Sequence, residues 1–138
     1  MAVEGDGYAV SSLEELGDGY GFRKIRKELG VQELGINAIM MPAGIETGKH
    51  YHEKQEEVYF VHRGVIEMTF GDGQAHRLEE GGVARVDAST VRKVKNVGEA
   101  DAVYVVVGAK GGYVGRDGVL PEGETGRVGS SDPQPEGG

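Results

Sequence analysis

Apolar residues in this chain occur in short runs that are separated by glycine-rich or charged stretches. This spacing is typical of β-strands joined by tight turns, because glycine supplies the positive φ angles that such turns need. About eight to ten strands can be counted, and the most apolar of them lie at residues 36–41, 65–70 and 102–108. The pattern therefore predicts an all-β domain built as a sandwich or barrel.

One short helix is predicted near the N-terminus. In "SSLEEL" (residues 11–16), Ser12 can cap a helix and Glu15 follows three residues later, which is the capping-box pattern. The glycine-rich "GDGYG" that follows should end this helix after one or two turns. The next segment, "FRKIRKEL" at residues 22–29, is predicted to be an edge strand whose basic side chains discourage pairing with other chains.

The chain is expected to have three parts. Residues 1–20 form an N-terminal segment with the short helix, and residues 21–120 form the β-barrel domain. Residues 121–138 have almost no apolar side chains and cannot offset the entropy cost of ordering, so we expect a disordered tail. Residues 112–120 are more apolar, and we expect them to pack back on the barrel beside the helix.

Composition excludes several functional classes. The 138 residues carry a net charge of −8 and include no cysteine. A negative field repels phosphate backbones, so we expect no nucleic-acid partner. Without cysteine there are no thiolate ligands, disulfides or cysteine nucleophiles. The first residues do not resemble a secretory signal and no apolar run is long enough to span a bilayer, so we expect a cytoplasmic protein with no membrane partner.

Two histidines one residue apart are the strongest candidate for a functional site. On a strand, His50 and His52 project from the same face with Cβ atoms roughly 6–7 Å apart, a workable span for binding one ion. Glu57 follows five residues after His52, so it can join them only if the chain turns at residues 53–56. Glu57 would then open the next strand with an inward side chain, and Tyr59 would point inward as well.

Two histidines and one carboxylate form the ligand set of the facial triad, which leaves coordination positions open for substrate or oxygen. Iron, manganese, nickel, zinc and copper are all compatible with these ligands. The same spacing also fits a solvated polar strand edge that binds no metal, and the residue spacing alone leaves this alternative open.

The same stretch resembles the first motif of the cupin superfamily, which is Gly, five residues, His, one residue, His, three or four residues, Glu, six residues and Gly. Every specified position matches, at Gly44, His50, His52, Glu57 and Gly64. The resemblance covers roughly residues 36–108. It implies a small single-domain cupin, or monocupin, with a double-stranded β-barrel of the jelly-roll type, a site inside the barrel and often a homodimer.

The second cupin motif, Gly, five residues, Pro, one residue, Gly, two residues, His, three residues and Asn, is degenerate. Gly81 and Asn96 stand at its ends, but the Pro, Gly and His positions hold Asp87, Ser89 and Arg92. The fourth metal ligand that the resemblance implies is therefore missing. Arginine cannot replace it, since a guanidinium has only hydrogen-bond donors and stays protonated.

Arg92 leaves two arrangements open. In the first, His50, His52 and Glu57 hold a metal while Arg92 binds an anionic group of the ligand. In the second, Arg92 takes the place of the metal and pairs with Glu57 in a metal-free pocket. A divalent ion and a guanidinium about 5 Å apart repel by roughly 6–7 kcal/mol at an effective dielectric constant near 20. Glu57 and a bound anion would offset much of this repulsion, so charge alone does not decide between the two arrangements.

The favoured hypothesis is a small-molecule-binding cupin with a divalent metal. If it is an enzyme, it is expected to be an oxygenase or isomerase that acts on a small anionic substrate, with Arg92 and Tyr59 as substrate-binding residues. The alternative is a metal-free, non-catalytic ligand-binding or structural dimer. The other two histidines, His62 and His76, are interpreted as surface or core residues, and no catalytic residue is predicted.

Overall fold

The computed structural model describes residues 2–115 and 117–121. These residues form twelve strands and one helix. In chain order the elements are β1 (Val3–Gly5), β2 (Tyr8–Val10), β3 (Gly21–Arg23), α1 (Ile25–Leu29), β4 (Gly35–Met41), β5 (Tyr51–His52), β6 (Glu56–Arg63), β7 (Ile66–Phe70), β8 (Ala75–Leu78), β9 (Val83–Val86), β10 (Arg92–Asn96), β11 (Ala102–Ala109) and β12 (Gly118–Val119).

Two sheets carry most of the fold. The larger sheet has the strand order β3–β4–β11–β6–β9 and the smaller has the order β10–β7–β8, with antiparallel pairing throughout. Two short ribbons, β1–β2 and β12–β5, complete the pairing. The all-β prediction is confirmed. Across the described part of the chain, however, the strands pair as separate sheets rather than as one closed barrel.

The hydrophobic core contains side chains from both main sheets. Alternation along β6 shows how each strand contributes, because Tyr59 and Val61 are buried while Val58 and Phe60 between them are exposed. The core residues are Ile39, Met41, Tyr59, Val61, Ile66, Met68, Val86, Val94, Ala102, Tyr104 and Val106. Glu57 shares the inward face of β6, so the fold buries a carboxylate at the edge of this core.

The predicted helix at residues 11–16 is wrong. The capping-box contacts do form, since the backbone N–H of Glu15 donates to Ser12 Oγ at 3.2 Å, but they close only a hydrogen-bonded turn. The helix lies instead at Ile25–Leu29, inside the segment predicted as an edge strand. Only Gly21–Arg23 of that region is a strand, and it does lie at the edge of the larger sheet.

The N-terminal segment also contains a hairpin that the sequence reading missed. Strands β1 and β2 pair around Asp6 and Gly7, and Gly7 has a φ of +86°. An Asp-Gly dipeptide between short strands is a recognised hairpin signal, so this element was predictable. The helix of the described chain is too short and too polar to cross a membrane.

The segment after β11 returns to the domain, as expected. Tyr113 lies under the guanidinium of Arg26 in helix α1, 4.1 Å from ring centroid to Cζ. Strand β12 then pairs with β5, so that Gly118 lies opposite His52. The expectation of a disordered tail concerns residues 121–138, of which 122–138 lie outside the described residues.

Candidate metal centre

Backbone pairing positions both histidines of the first motif. The N–H of His50 donates to the carbonyl of Arg92 at 2.9 Å, and the N–H of Arg92 donates back to His50 at 2.8 Å. His52 follows on β5, and its N–H donates to the carbonyl of Ala88 at 2.7 Å. Neither side chain is exposed, and the two rings meet edge to face with centroids 5.3 Å apart.

Glu57 reaches the histidines because the chain bends after β5. The bend at residues 53–55 lets β6 begin at Glu56 and directs Glu57 inward, as the sequence predicted. One ligand atom from each of His50, His52 and Glu57 lies within 4.8 Å of the other two. The three residues therefore form a buried group that can hold a metal ion.

The Nε2 atoms of the two histidines have no hydrogen-bond partner, although both are buried. Glu57 Oε2 approaches His52 Nε2 at 3.4 Å, but the two groups are not aligned as a hydrogen bond. On His50, Nδ1 lies 3.4 Å from the carbonyl of Gly48, and donation there leaves a lone pair on Nε2. Two inward, unpartnered imidazole nitrogens beside a carboxylate fit a divalent transition metal.

Arg92 lies within this group and is fully buried. Its Nη2 donates to Glu57 Oε1 at 3.0 Å, and its Nε donates to the Tyr59 hydroxyl at 3.4 Å. Its Nη1 donates to the backbone carbonyls of Thr90 and Ala88. The guanidinium is therefore held on three sides by the protein, and the Arg92–Glu57 pair that the metal-free alternative requires is present.

Tyr59 completes the contacts of Glu57. Its hydroxyl donates to Glu57 Oε1 at 2.8 Å, the same oxygen that Arg92 binds. Its ring stacks on that of Tyr104, with centroids 6.0 Å apart. The ring of Tyr59 is therefore part of the core, and its hydroxyl reaches the polar group.

The buried charges shift the proton affinities of these groups. Burial alone would raise the pKa of Glu57, but His52, Arg92 and the Tyr59 hydroxyl together hold it well below its usual range. Burial, reinforced by the positive charge of Arg92, lowers the pKa of His50 to about 4. Burial and the Glu57 carboxylate raise the pKa of Tyr59 well above 10. At neutral pH the group therefore contains a carboxylate, a neutral His50 and an intact phenol.

Two further polar residues, Gln55 and Asp117, border the centre and were missed by the sequence reading. Both are buried, and both lie near Nδ1 of His52: Gln55 Nε2 at 3.2 Å and Asp117 Oδ2 at 3.7 Å. No local signal could have assigned Asp117, because it lies 65 residues along the chain from His52. His62 and His76, interpreted from the sequence as surface or core residues, are both exposed.

A double-layered antiparallel fold with an inward His–His–Glu group defines a cupin-type domain. The family model described as a cupin domain matches residues 37–108, which is more than half of the chain. The chain belongs to this family, and one such match is consistent with a monocupin. No curated protein is significantly similar in sequence.

Solved structures show the same fold at low sequence identity. A double-stranded β-helix domain protein from Klebsiella pneumoniae superposes with a TM-score of 0.64 and 20% identity, over 82% of this chain and 96% of that one. A cupin protein from Bacteroides fragilis gives 0.62 and 20%, over 75% and 85%. The cupin domain of Cnp3 from Schizosaccharomyces pombe gives 0.53 and 22%, and the match spans only 56% of each chain.

Proposed function

We propose that this cupin binds one divalent transition metal through His50, His52 and Glu57 and uses it to bind a small molecule. The observation that carries the proposal is the pair of unpartnered Nε2 atoms on His50 and His52. A buried polar atom without a partner costs about 1–3 kcal/mol, and a metal bound between the rings would satisfy both nitrogens at once. Iron, manganese, nickel, zinc and copper remain the candidate ions.

The ion pair between Arg92 and Glu57 is compatible with this role. Arg92 binds Oε1 of the carboxylate, whereas Oε2 is the oxygen that faces His52. The two oxygens can therefore serve different partners, with Arg92 and Tyr59 fixing the carboxylate from one side. In this view Arg92 acts first as a positioning residue for Glu57.

Three protein ligands leave coordination positions open, which is the arrangement that substrate-binding metal sites use. When bound, the metal supplies Lewis acidity or an oxygen-binding position, so oxygenase or isomerase chemistry is the proposed activity. The proposed substrate group is anionic and would bind beside Arg92 and Tyr59, both of which already donate to Glu57. A neighbouring surface groove of about 520 Å³ is lined by Lys54 and Lys110 and also by Glu56 and Asp87, so its lining carries no net formal charge.

A metal-free ligand-binding or structural module is the second candidate. The observation that favours it is the Arg92–Glu57 pair itself, at 3.0 Å between buried side chains. In this form Arg92 neutralises Glu57 without any ion. The two candidates differ in one measurable quantity, the stoichiometry of bound metal.

A homodimer and a cytoplasmic location remain proposals as well. The outer face of β6 and the edge strand β9 present three large exposed apolar side chains, Val58 at 43%, Phe60 at 42% and Val83 at 63%. Phe60 lies opposite Val83 in the strand register, so they form one patch that a second copy of the chain could cover. Analytical ultracentrifugation of the wild type and of Phe60→Glu tests this proposal. A dimeric wild type and a monomeric variant are expected, and a monomeric mass for both proteins would exclude the dimer.

The test of the metal proposal is metal content after loading. The protein is incubated separately with iron, manganese, nickel, zinc and copper, desalted, and analysed by elemental analysis. We expect about one equivalent in the wild type and a strong loss in His52→Ala. The matched control is His62→Ala, which removes an exposed histidine from β6 and should retain metal. Absence of metal from the wild type under every loading would contradict the proposal and favour the metal-free module.

A further inference from the structure

Asp117 is a buried carboxylate that lies outside the matched cupin domain, yet it contacts the loop that carries the metal ligands. It is only 4% exposed. It directly precedes strand β12, whose Gly118 pairs with His52 and whose Val119 pairs with Tyr51. The chain therefore returns after the last core strand and places this carboxylate against the bend between His52 and Glu57.

The carboxylate binds the backbone of that bend through three consecutive N–H groups. The N–H of Glu53 donates to Oδ1 at 3.1 Å, and that of Gln55 donates to Oδ2 at 2.8 Å. The N–H of Lys54 lies 3.1 and 3.0 Å from the two oxygens. Successive N–H groups of this kind form a concave anion-binding site, which stabilises the buried charge and fixes the bend.

The same carboxylate also acts on the ring of His52. Its Oδ2 lies 3.7 Å from Nδ1, and Gln55, whose N–H it binds, places its side-chain amide 3.2 Å from that nitrogen. A histidine that binds a metal through one ring nitrogen is oriented by the partner of its other nitrogen. In His52, Nε2 faces Glu57 and keeps its lone pair for a metal only when Nδ1 carries the ring proton, for which Asp117 Oδ2 is an acceptor on that side.

We propose that Asp117 is a positioning residue for the metal centre, which fixes the 53–55 bend and orients the His52 ring from outside the matched domain. The inference rests on the proposed metal-binding function. Charge gives it a second reason, since Glu57 and Arg92 cancel each other in formal charge. With Asp117 included, the three side chains have a net formal charge of −1, and the attraction of Asp117 for a divalent ion offsets repulsion from Arg92.

The test compares Asp117→Asn with Asp101→Asn in the full-length protein. Asn keeps one acceptor oxygen for the bend but removes the charge, whereas Asp101 is exposed and its variant removes the same charge elsewhere. Zn²⁺ affinity is measured by competition with a chromophoric chelator. We expect Asp117→Asn to bind Zn²⁺ about 10–100-fold more weakly and Asp101→Asn to match the wild type. Tight binding by the wild type with equal affinity in Asp117→Asn would overturn the inference and leave the proposed function intact.

A second measurement needs no metal. In metal-free protein, Asp117→Asn should change the ¹⁵N shifts of the His52 ring and speed amide exchange at residues 53–55, while the His62 ring stays unchanged. Unchanged values at both places would overturn the inference even if the wild type binds no Zn²⁺. If Asp117→Asn does not fold, the wild type decides: Zn²⁺ should slow amide exchange at residues 53–55 and 118–119 together. Protection of the first set without the second would reject it.

Discussion

Arg92 Nη2 lies 3.0 Å from Glu57 Oε1, so the residue at the expected fourth-ligand position binds one of the three candidate ligands. Both side chains are at most 1% exposed. Breaking a buried ion pair from one side costs about 3–5 kcal/mol because an uncompensated charge is left behind. Loss of either partner should therefore destabilise the fold, and Arg92 occupies the position that the second cupin motif gives to a histidine.

Replacing Arg92 with histidine should convert the three-ligand group into a four-ligand group. The backbone of residue 92 pairs with that of His50, so a histidine at position 92 would lie directly opposite His50. Removing the guanidinium also removes a positive charge beside the ion. We expect Arg92→His to bind Zn²⁺ at least about tenfold more tightly, which corresponds to roughly 1.4 kcal/mol. A chelator-competition titration measures this directly.

The control for Arg92→His is Arg85→His, which places a histidine at an exposed arginine on β9. The control should leave Zn²⁺ affinity unchanged. The metal-free Arg92→His protein should be less stable than the wild type, because Glu57 loses its cation. Equal or weaker Zn²⁺ binding by a folded Arg92→His protein would show that the added imidazole does not offset the loss of the Arg92 contact that positions Glu57.

The two glycines that bound the first motif should respond very differently to substitution. Gly44 and Gly64 have nearly the same φ, +82° and +83°. A Cβ on Gly44 would meet nothing within 4 Å, whereas one on Gly64 would lie 2.9 Å from Ala102 Cα and 3.0 Å from the carbonyl of Asp101. We expect Gly44→Ala to cost about 1–2 kcal/mol through its left-handed backbone alone. Gly64→Ala should cost roughly 1–3 kcal/mol more through the clash.

Urea denaturation of the two glycine variants tests this difference. Gly81→Ala is the matched control, because Gly81 has a φ of +85° and open space around its Cβ position. It should lose about as much stability as Gly44→Ala. Equal losses at Gly44 and Gly64 would mean that β11 shifts away from Gly64 without cost.

Much of the fold was predictable because burial alternates along individual strands. Along β6 the sequence placed Glu57, Tyr59 and Val61 inward and Phe60 and His62 outward, and the structure agrees at each position. Alternation reports which face is buried, but it does not report which strands pair. The closed barrel was therefore an expectation of the resemblance, whereas the described strands pair as separate sheets.

The helix was misplaced because a capping box is only a start signal. Ser12 and Glu15 make their contacts, but glycines at 17 and 19 stop propagation after one turn. The segment Ile25–Leu29 consists of good helix formers and ends at Gly30, whose φ of +73° closes the helix. Its basic side chains were interpreted as protection of a strand edge, but lysine and arginine are also good helix formers, so the same residues fit either structure.

The grouping of the three candidate ligands could be predicted because they lie close together in sequence, and Asp117 could not because it reaches them only through the tertiary fold. His50, His52 and Glu57 fall within eight consecutive positions, so strand parity and one bend decide their convergence. Asp117 approaches the bend only after β11 has been added to the sheet and the chain has returned. Gln55 lies within the predicted turn at residues 53–56, but nothing in the local sequence distinguishes it from a solvent-exposed turn residue.

Stability of the metal-free protein should fall as the pH is lowered from 7 towards 4. The pKa of His50 is lowered from 6.5 to about 4 in the fold, so below pH 6.5 the unfolded chain takes up a proton that the folded chain does not. The pKa of Glu57 is also lowered in the fold. The stability that its carboxylate contributes is therefore complete above the ordinary pKa of glutamate and is lost as the pH falls towards the lowered pKa of the folded protein. For His50 alone the loss by pH 4 is about 3 kcal/mol, at about 1.4 kcal/mol per pH unit.

Thermal or urea denaturation in the presence of a chelator, at half-unit steps of pH, measures this slope. His50→Gln should flatten the slope between pH 6.5 and 4.5, because glutamine does not titrate. His62→Gln, which replaces an exposed histidine on β6, is the matched control. A wild-type slope that His50→Gln leaves unchanged would assign the pH dependence to other groups.

Asn96, the last residue of the second motif, should be required for stability rather than for binding. Its Nδ2 donates to the carbonyls of Met41 and Ala100 at 2.8 and 2.9 Å, and its Oδ1 accepts the N–H of Gly98 at 2.9 Å. The buried side chain thereby ties the end of β10 to the end of β4 and to the following turn. We expect Asn96→Ala to lose about 2–4 kcal/mol of unfolding free energy, because it orphans these groups.

Asn96→Asp separates the donor role of this side chain from its size. A carboxylate of nearly the same shape would face two carbonyls with no N–H to donate, so at pH 7.5 it should be less stable than Asn96→Ala. Protonation restores one donor, so the deficit relative to Asn96→Ala should narrow as the pH falls to 5. Urea denaturation of both variants at the two pH values measures this, and the difference between the variants cancels the pH dependence that they share. If Asn96→Asp is as stable as Asn96→Ala at pH 7.5, the two carbonyls do not need a hydrogen bond from Asn96. The side chain would then be required only as the acceptor for the N–H of Gly98.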